Sequence, residues 1–202
     1  MLSLSFVFTV LHEDKNGNAD FYDYPFLPVD NQWQKDTAER LGRHLVPDGN
    51  PYSSSEFQEK LPNRKPVTVL DPEGDGNCLP RALSIVVYGT EDCYKVLRNA
   101  VCDFLLNNVL PSESLPRDNK FYIELAKLRR DKVWMGTREV EAFSYLLNAN
   151  ICSCVETNNR NGQFKGFFWQ QVPYVSSRVQ LDHNRAIYIL NKDQHFFLVT
   201  EP

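Results

Sequence analysis

A cysteine that acts as a nucleophile needs access to its substrate, a setting that favours the thiolate, and a base within reach. The chain offers Cys78, Cys93, Cys102, Cys152 and Cys154, and the histidines His12, His44, His183 and His195. Only Cys78 follows a glycine-bearing turn, Asp71-Pro72-Glu73-Gly74-Asp75-Gly76-Asn77, and opens an apolar stretch that reads as a helix over 78–88. At a helix start the first N–H groups lack intrahelical acceptors and the helix dipole is positive, so a thiolate is favoured there. The same N–H groups can stabilise the oxyanion formed when a thiolate attacks a carbonyl. Pro80 costs nothing in the first turn, because its missing N–H would have had no partner. A phosphate-binding loop is excluded: the turn has neither Gly-Lys-Ser/Thr nor the three-glycine dinucleotide pattern.

The other cysteines read as structural. Cys93 and Cys102 fall in a helical stretch over 91–107, where a small buried residue is the ordinary occupant. Cys152 and Cys154 share one face of a predicted strand, and no second Cys/His pair with ligand spacing accompanies them, so neither metal nor cofactor is expected. Among the histidines, His195 stands out because it opens a strongly apolar run over 195–200, where a polar side chain needs a reason. His12 lies near a predicted turn, His44 near the end of a short helix and His183 in the polar turn 182–185.

These residues must be positioned by the elements around them. Residues 1–10 alternate, with Leu2, Leu4, Phe6, Phe8 and Val10 on one face, and lack a basic start. That is a strand pattern and not that of a signal peptide. With the turn Asn16-Gly17 and a returning strand over 21–26, they predict a hairpin within an N-terminal extension over 1–29, ahead of one domain over 30–202. A helix is expected over about 30–45, then a loop over 46–66 with a helical turn at 56–61, and a short strand over 67–70. Beyond the Cys78 helix come helices over about 90–107 (Thr90 as cap), 119–130, and one capped by Thr137. Strands follow over 151–155, 167–172, 186–190 and 195–200. Helices first and strands later predict an α+β fold.

Composition bounds the rest. The 202 residues are 42% hydrophobic and 12% aromatic, enough for one sizeable core. A net charge of −4 gives no basic face for nucleic acid, and there is no apolar run of the length that spans a membrane. An odd cysteine count without repeated spacing predicts a reducing, cytoplasmic setting.

Asp75-Gly76-Asn77-Cys78-Leu79-Pro80-Arg81-Ala82 resembles the signature Asp-Gly-Asn-Cys-Leu-Phe-Arg-Ala of the ovarian-tumour (OTU) cysteine proteases, with Pro80 in place of the usual aromatic. Trp134-Met135-Gly136 through Glu141 resembles that family's Trp-Gly…Glu helix start with one extra residue. Residues 186–199 resemble its paired terminal strands. The resemblance implies a papain-like fold, a central mixed sheet flanked by helices. It also implies an activity: thiol-dependent hydrolysis of isopeptide bonds at the C-terminus of ubiquitin or a ubiquitin-like modifier. In that reading Cys78 is the nucleophile, His195 the general base, and Asp75 part of the loop that shapes the oxyanion site, through its backbone more than its carboxylate. Many members carry Asp or Asn two residues after the histidine; here that position is Phe197, leaving Asp193, Asn191 or an acid from elsewhere to orient the imidazole. A catalytically silent domain that binds ubiquitin or another protein is the alternative, and a papain-like enzyme with a different substrate is a third reading.

Overall fold

The computed structural model describes residues 25–43, 45–46, 49–52, 54–112, 117–158, 164–172 and 185–202. The hairpin expected within 1–29 lies outside them as far as residue 24, as do His12, His44 and His183. Five helices are described: α1 Asn31–Arg40, α2 Cys78–Tyr88, α3 Tyr94–Asn107, α4 Asn119–Leu128 and α5 Thr137–Leu147. The strands are β1 Thr68–Leu70, β2 Asn150–Asn158, β3 Phe164–Val172, β4 Ala186–Lys192 and β5 His195–Glu201.

The strands form one sheet in the order β1-β5-β4-β2-β3. The β2–β4 pair is parallel and the others are antiparallel, so the sheet is mixed and the fold α+β, as expected. Helices α1 and α3 pack on α2, α2 packs on β5, and α5 packs on α3, β2 and β3. The core runs through the buried side chains of Leu83, Val87, Leu97, Val101, Phe143, Ile151, Ile187, Ile189 and Leu198. On the other sheet face Tyr188 packs against Phe26 (centroids 4.5 Å apart) and Trp169 (5.9 Å), and its backbone N–H donates to the Tyr52 hydroxyl.

Several ends follow local chemistry. The Asp30 carboxylate caps α1 by accepting from the Trp33 N–H, Asp118 caps α4, and the Thr90 hydroxyl caps the 3-10 turn Glu91–Cys93 that leads into α3. Helix α1 is shorter than expected, because Gly42 at φ 75° turns the chain out of the helix. Thr137 does not cap α5: it is the first helical residue and Gly136 is the cap. Lacking a side chain there, the helix end is closed from the other direction, by Glu139 accepting the Gly136 N–H at 2.7 Å. The helical turn expected at 56–61 is absent; Gln58 exchanges both backbone hydrogen bonds with Phe26 and is drawn into an extended bridge.

Candidate active site

Cys78 is the first residue of α2 and Asn77 its N-cap. The turn before it is held from three directions. The Asp75 carboxylate accepts from the Asn77 backbone N–H at 3.0 Å and the Asn77 side-chain amide at 2.8 Å. It also pairs with Arg81, one helical turn into α2, at 2.9 Å. Arg81's hydrogen bond, with help from Asn77, holds the Asp75 carboxyl well below the usual carboxylate range despite its burial. The acid is therefore committed to shaping the turn. Arg81 also reaches Glu73 at 2.8 Å and lies over the Tyr94 ring, 4.1 Å from its centroid.

From below, the fully buried Arg98 of α3 donates to Asn77 Oδ1 (2.8 Å), the Gly76 carbonyl (3.1 Å), the Val133 carbonyl (2.8 Å) and the Leu128 carbonyl (2.6 Å). A planar guanidinium can serve such converging carbonyls where a lysine could not. Gly76 sits at φ 86°, and a Cβ there would come within 2.3 Å of the Lys132 carbonyl oxygen, so the position needs glycine for both conformation and space.

The histidine arrives from the far side of the sheet. Asp193 and Gln194, at φ 53° and 62°, form the two-residue turn between β4 and β5, and Lys192 pairs with His195 across it. Two positive φ values match the type I′ turn whose twist suits an antiparallel hairpin. His195 Nε2 lies 2.8 Å from Asp71 Oδ1. Asp71 directly follows β1, which pairs with β5. A carboxylate only accepts, so this contact assigns the ring proton to Nε2 and leaves Nδ1 as the basic nitrogen. That edge of the ring lies beside the turn that carries Cys78: a Cβ placed on Gly74 would stand 3.6 Å from both Nδ1 and Cε1. Phe197, on the same strand face, packs its ring at 81° to the imidazole, 4.5 Å away.

The structure thus brings the turn carrying Cys78 against His195 and adds Asp71, which sequence reasoning did not single out. The candidates Asp193 and Asn191 are corrected. Asp193 occupies the turn itself, in a left-handed backbone that breaks strand alternation with His195. Asn191 pairs with Phe196, on the opposite sheet face from His195. The only advance signal for Asp71 was its place after a predicted strand; its partner became visible once β1 lay beside β5. Cys78 itself is 2% exposed, so its sulfur is covered in this conformation. Cys102 is also buried, with its thiol pushed up to about 11, and Cys152 and Cys154 are buried on β2 with theirs pushed up to about 12, as inert structural thiols should be.

No family model matches the chain. It is 27% identical over 99 residues to the OVARIAN TUMOR DOMAIN-containing deubiquitinating enzyme 7 of Arabidopsis thaliana, covering 48% of this chain and 26% of that protein. To OTU domain-containing protein 5-A of Xenopus laevis it is 33% identical over 66 residues, 33% of this chain and 13% of that one. The matches span about a quarter or less of the length of these relatives. Among solved structures, the OTUD1 OTU domain superposes with a TM-score of 0.50 at 20% identity, over 67% of this chain and 85% of that one. An OTU deubiquitinase from Wolbachia pipientis wMel bound to ubiquitin gives 0.48 at 16%, over 66% and 95%. In sequence the chain is similar to ovarian-tumour domain proteins, and the α+β fold it adopts is the one their OTU domains share.

Proposed function

We propose that this chain is a thiol-dependent deubiquitinase that hydrolyses isopeptide bonds at the C-terminus of ubiquitin or a ubiquitin-like modifier. The observation that carries the reading is the contact of His195 Nε2 with Asp71, which leaves the Nδ1 edge of the ring beside the turn that carries Cys78. In this reading Nδ1 takes the Cys78 proton, and the thiolate attacks the carbonyl carbon of the modifier's last residue. First-turn N–H groups of α2 offer hydrogen bonds to the oxyanion. The imidazolium then protonates the departing lysine amine, leaving a thioester on Cys78. Water, deprotonated by the same imidazole, releases the modifier. Asp71 keeps the ring in one tautomer and stabilises its charged form. Sequence likeness to a protein named as a deubiquitinating enzyme supports the substrate class.

The covered Cys78 favours a second reading, a domain that binds ubiquitin without cleaving it. Ubiquitin carrying a C-terminal electrophile separates the two. The expected result is a covalent adduct that disappears in Cys78→Ala and in His195→Ala; binding without an adduct would support the interaction module. A chain that ignores ubiquitin but is labelled by a small thiol probe would retain the cysteine chemistry and lose the substrate.

A further inference from the structure

The segment between α4 and α5 touches both halves of the candidate site. On one side the Lys132 N–H donates to Asn77 Oδ1 at 3.2 Å, the Lys132 carbonyl lies against Gly76, and the Val133 carbonyl accepts from Arg98. The first two contacts are with the turn that delivers Cys78, and the third is with the α3 arginine that braces that turn through Asn77 and Gly76. On the other side Trp134 donates its indole N–H to the Gln194 carbonyl at 2.5 Å, and its ring stacks on Phe196 at 16° with centroids 6.0 Å apart. Gln194 and Phe196 are the two neighbours of His195 in the chain. Gly136 makes room for the ring: a Cβ there would fall 2.7 Å from the indole.

Trp134 is 40% exposed, which is poor use of a tryptophan as core filling. Its contacts instead grip a turn whose two residues, Asp193 and Gln194, both hold a left-handed conformation that side chains disfavour. The β4–β5 ladder favours such a turn, and the Trp134 bond to the Gln194 carbonyl fixes where the turn stands relative to the loop bearing Cys78.

We infer that residues 132–134 are a strap that sets the distance between the nucleophile turn and the histidine turn, with Trp134 as a positioning residue that acts on proton transfer through His195. The inference rests on the Cys78–His195 reading above. Proton transfer is steep in distance, so a small drift of the ring would cost rate while leaving substrate binding intact.

Trp134→Phe keeps a stacking ring and removes the N–H. Alkylation of Cys78 by iodoacetamide at pH 7 and pH 10 then reads the imidazole's help without any ubiquitin. At pH 7 alkylation is expected to depend on His195 as the base, whereas at pH 10 solvent hydroxide can take its place. The variant is expected to lose about tenfold in rate at pH 7 and little at pH 10. On a fluorogenic ubiquitin C-terminal amide, kcat should fall by a similar factor with KM unchanged. Equal rates for variant and wild type at pH 7, or equal losses at both pH values, would overturn the strap. Should Trp134→Phe fold poorly, benzothienylalanine at position 134, which exchanges the N–H for sulfur at constant shape, must give the same pH-dependent loss or the inference fails. Wild type that is alkylated readily at pH 7 yet leaves ubiquitin untouched would sink the substrate reading while the strap is still decided by alkylation.

Discussion

Asp71 and His195 meet across two strands that are far apart in sequence, and the consequence for catalysis can be put as a number. Asp71→Ala leaves the imidazole free to turn and to choose its tautomer, and kcat is expected to fall about 10- to 100-fold with KM little changed. That is less than the roughly 10⁴-fold loss that even an Asp→Asn change causes in a serine triad, because a thiolate is nucleophilic without a perfectly oriented base and so tolerates a change at this position better. Asp71→Asn, which keeps an acceptor oxygen, should recover most of the loss, and Asp193→Ala should stay within about twofold of wild type, since it alters only a turn residue. Steady-state kinetics on a ubiquitin C-terminal amide check all three. The place of Cys78 at a helix start was legible in the sequence because its determinants are local: glycines, an N-cap position and a helix start lie within a few residues. Asp71 was not, because nothing in Asp71-Pro72 says which strand will lie alongside. Asp193 stands two residues before His195 but in a turn where both φ values are positive, so strand alternation does not carry it to the imidazole.

At the scale of elements, the turn before α2 is a junction and not a free loop. Gly76→Ala should cost more than about 2 kcal/mol, combining a disfavoured φ of 86° with a backbone collision at Lys132. Urea denaturation checks this, and a loss within the error of the measurement would mean that the Lys132 segment yields freely. Periodicity and caps located the described helices and strands to within a few residues, since a stripe of apolar side chains is written directly in the chain. The failures lie where another group intervenes: Glu139, three residues on, reaches back to Gly136 at the start of α5, and the distant Phe26 pulls Gln58 into a bridge. Arg98 was missed altogether. A single arginine amid helical spacing reads as solvated, and only the convergence of four acceptors reveals why it is buried.

For the whole molecule, the buried thiols predict how stability responds to base. Burial lifts Cys102 to about 11 and Cys152 and Cys154 to about 12 from an ordinary 9.0. In the folded chain they stay protonated above pH 9, while in the unfolded chain they ionise, so the unfolded state binds fewer protons and stability falls as pH rises. Each group contributes up to about 1.4 kcal/mol per pH unit in that window, and urea midpoints at pH 8 and pH 10.5 should show the decline, with a shallower one in Cys154→Ala. A sheet order of β1-β5-β4-β2-β3 carries a further consequence, for the order of folding. Strand β5 follows the other four described strands in sequence, yet it inserts between β1 and β4 instead of adding at an edge. Until it docks, β1 lacks the strand it pairs with and Asp71 lacks its imidazole partner. The histidine half of the candidate site therefore joins the cysteine half only when β5 closes the sheet.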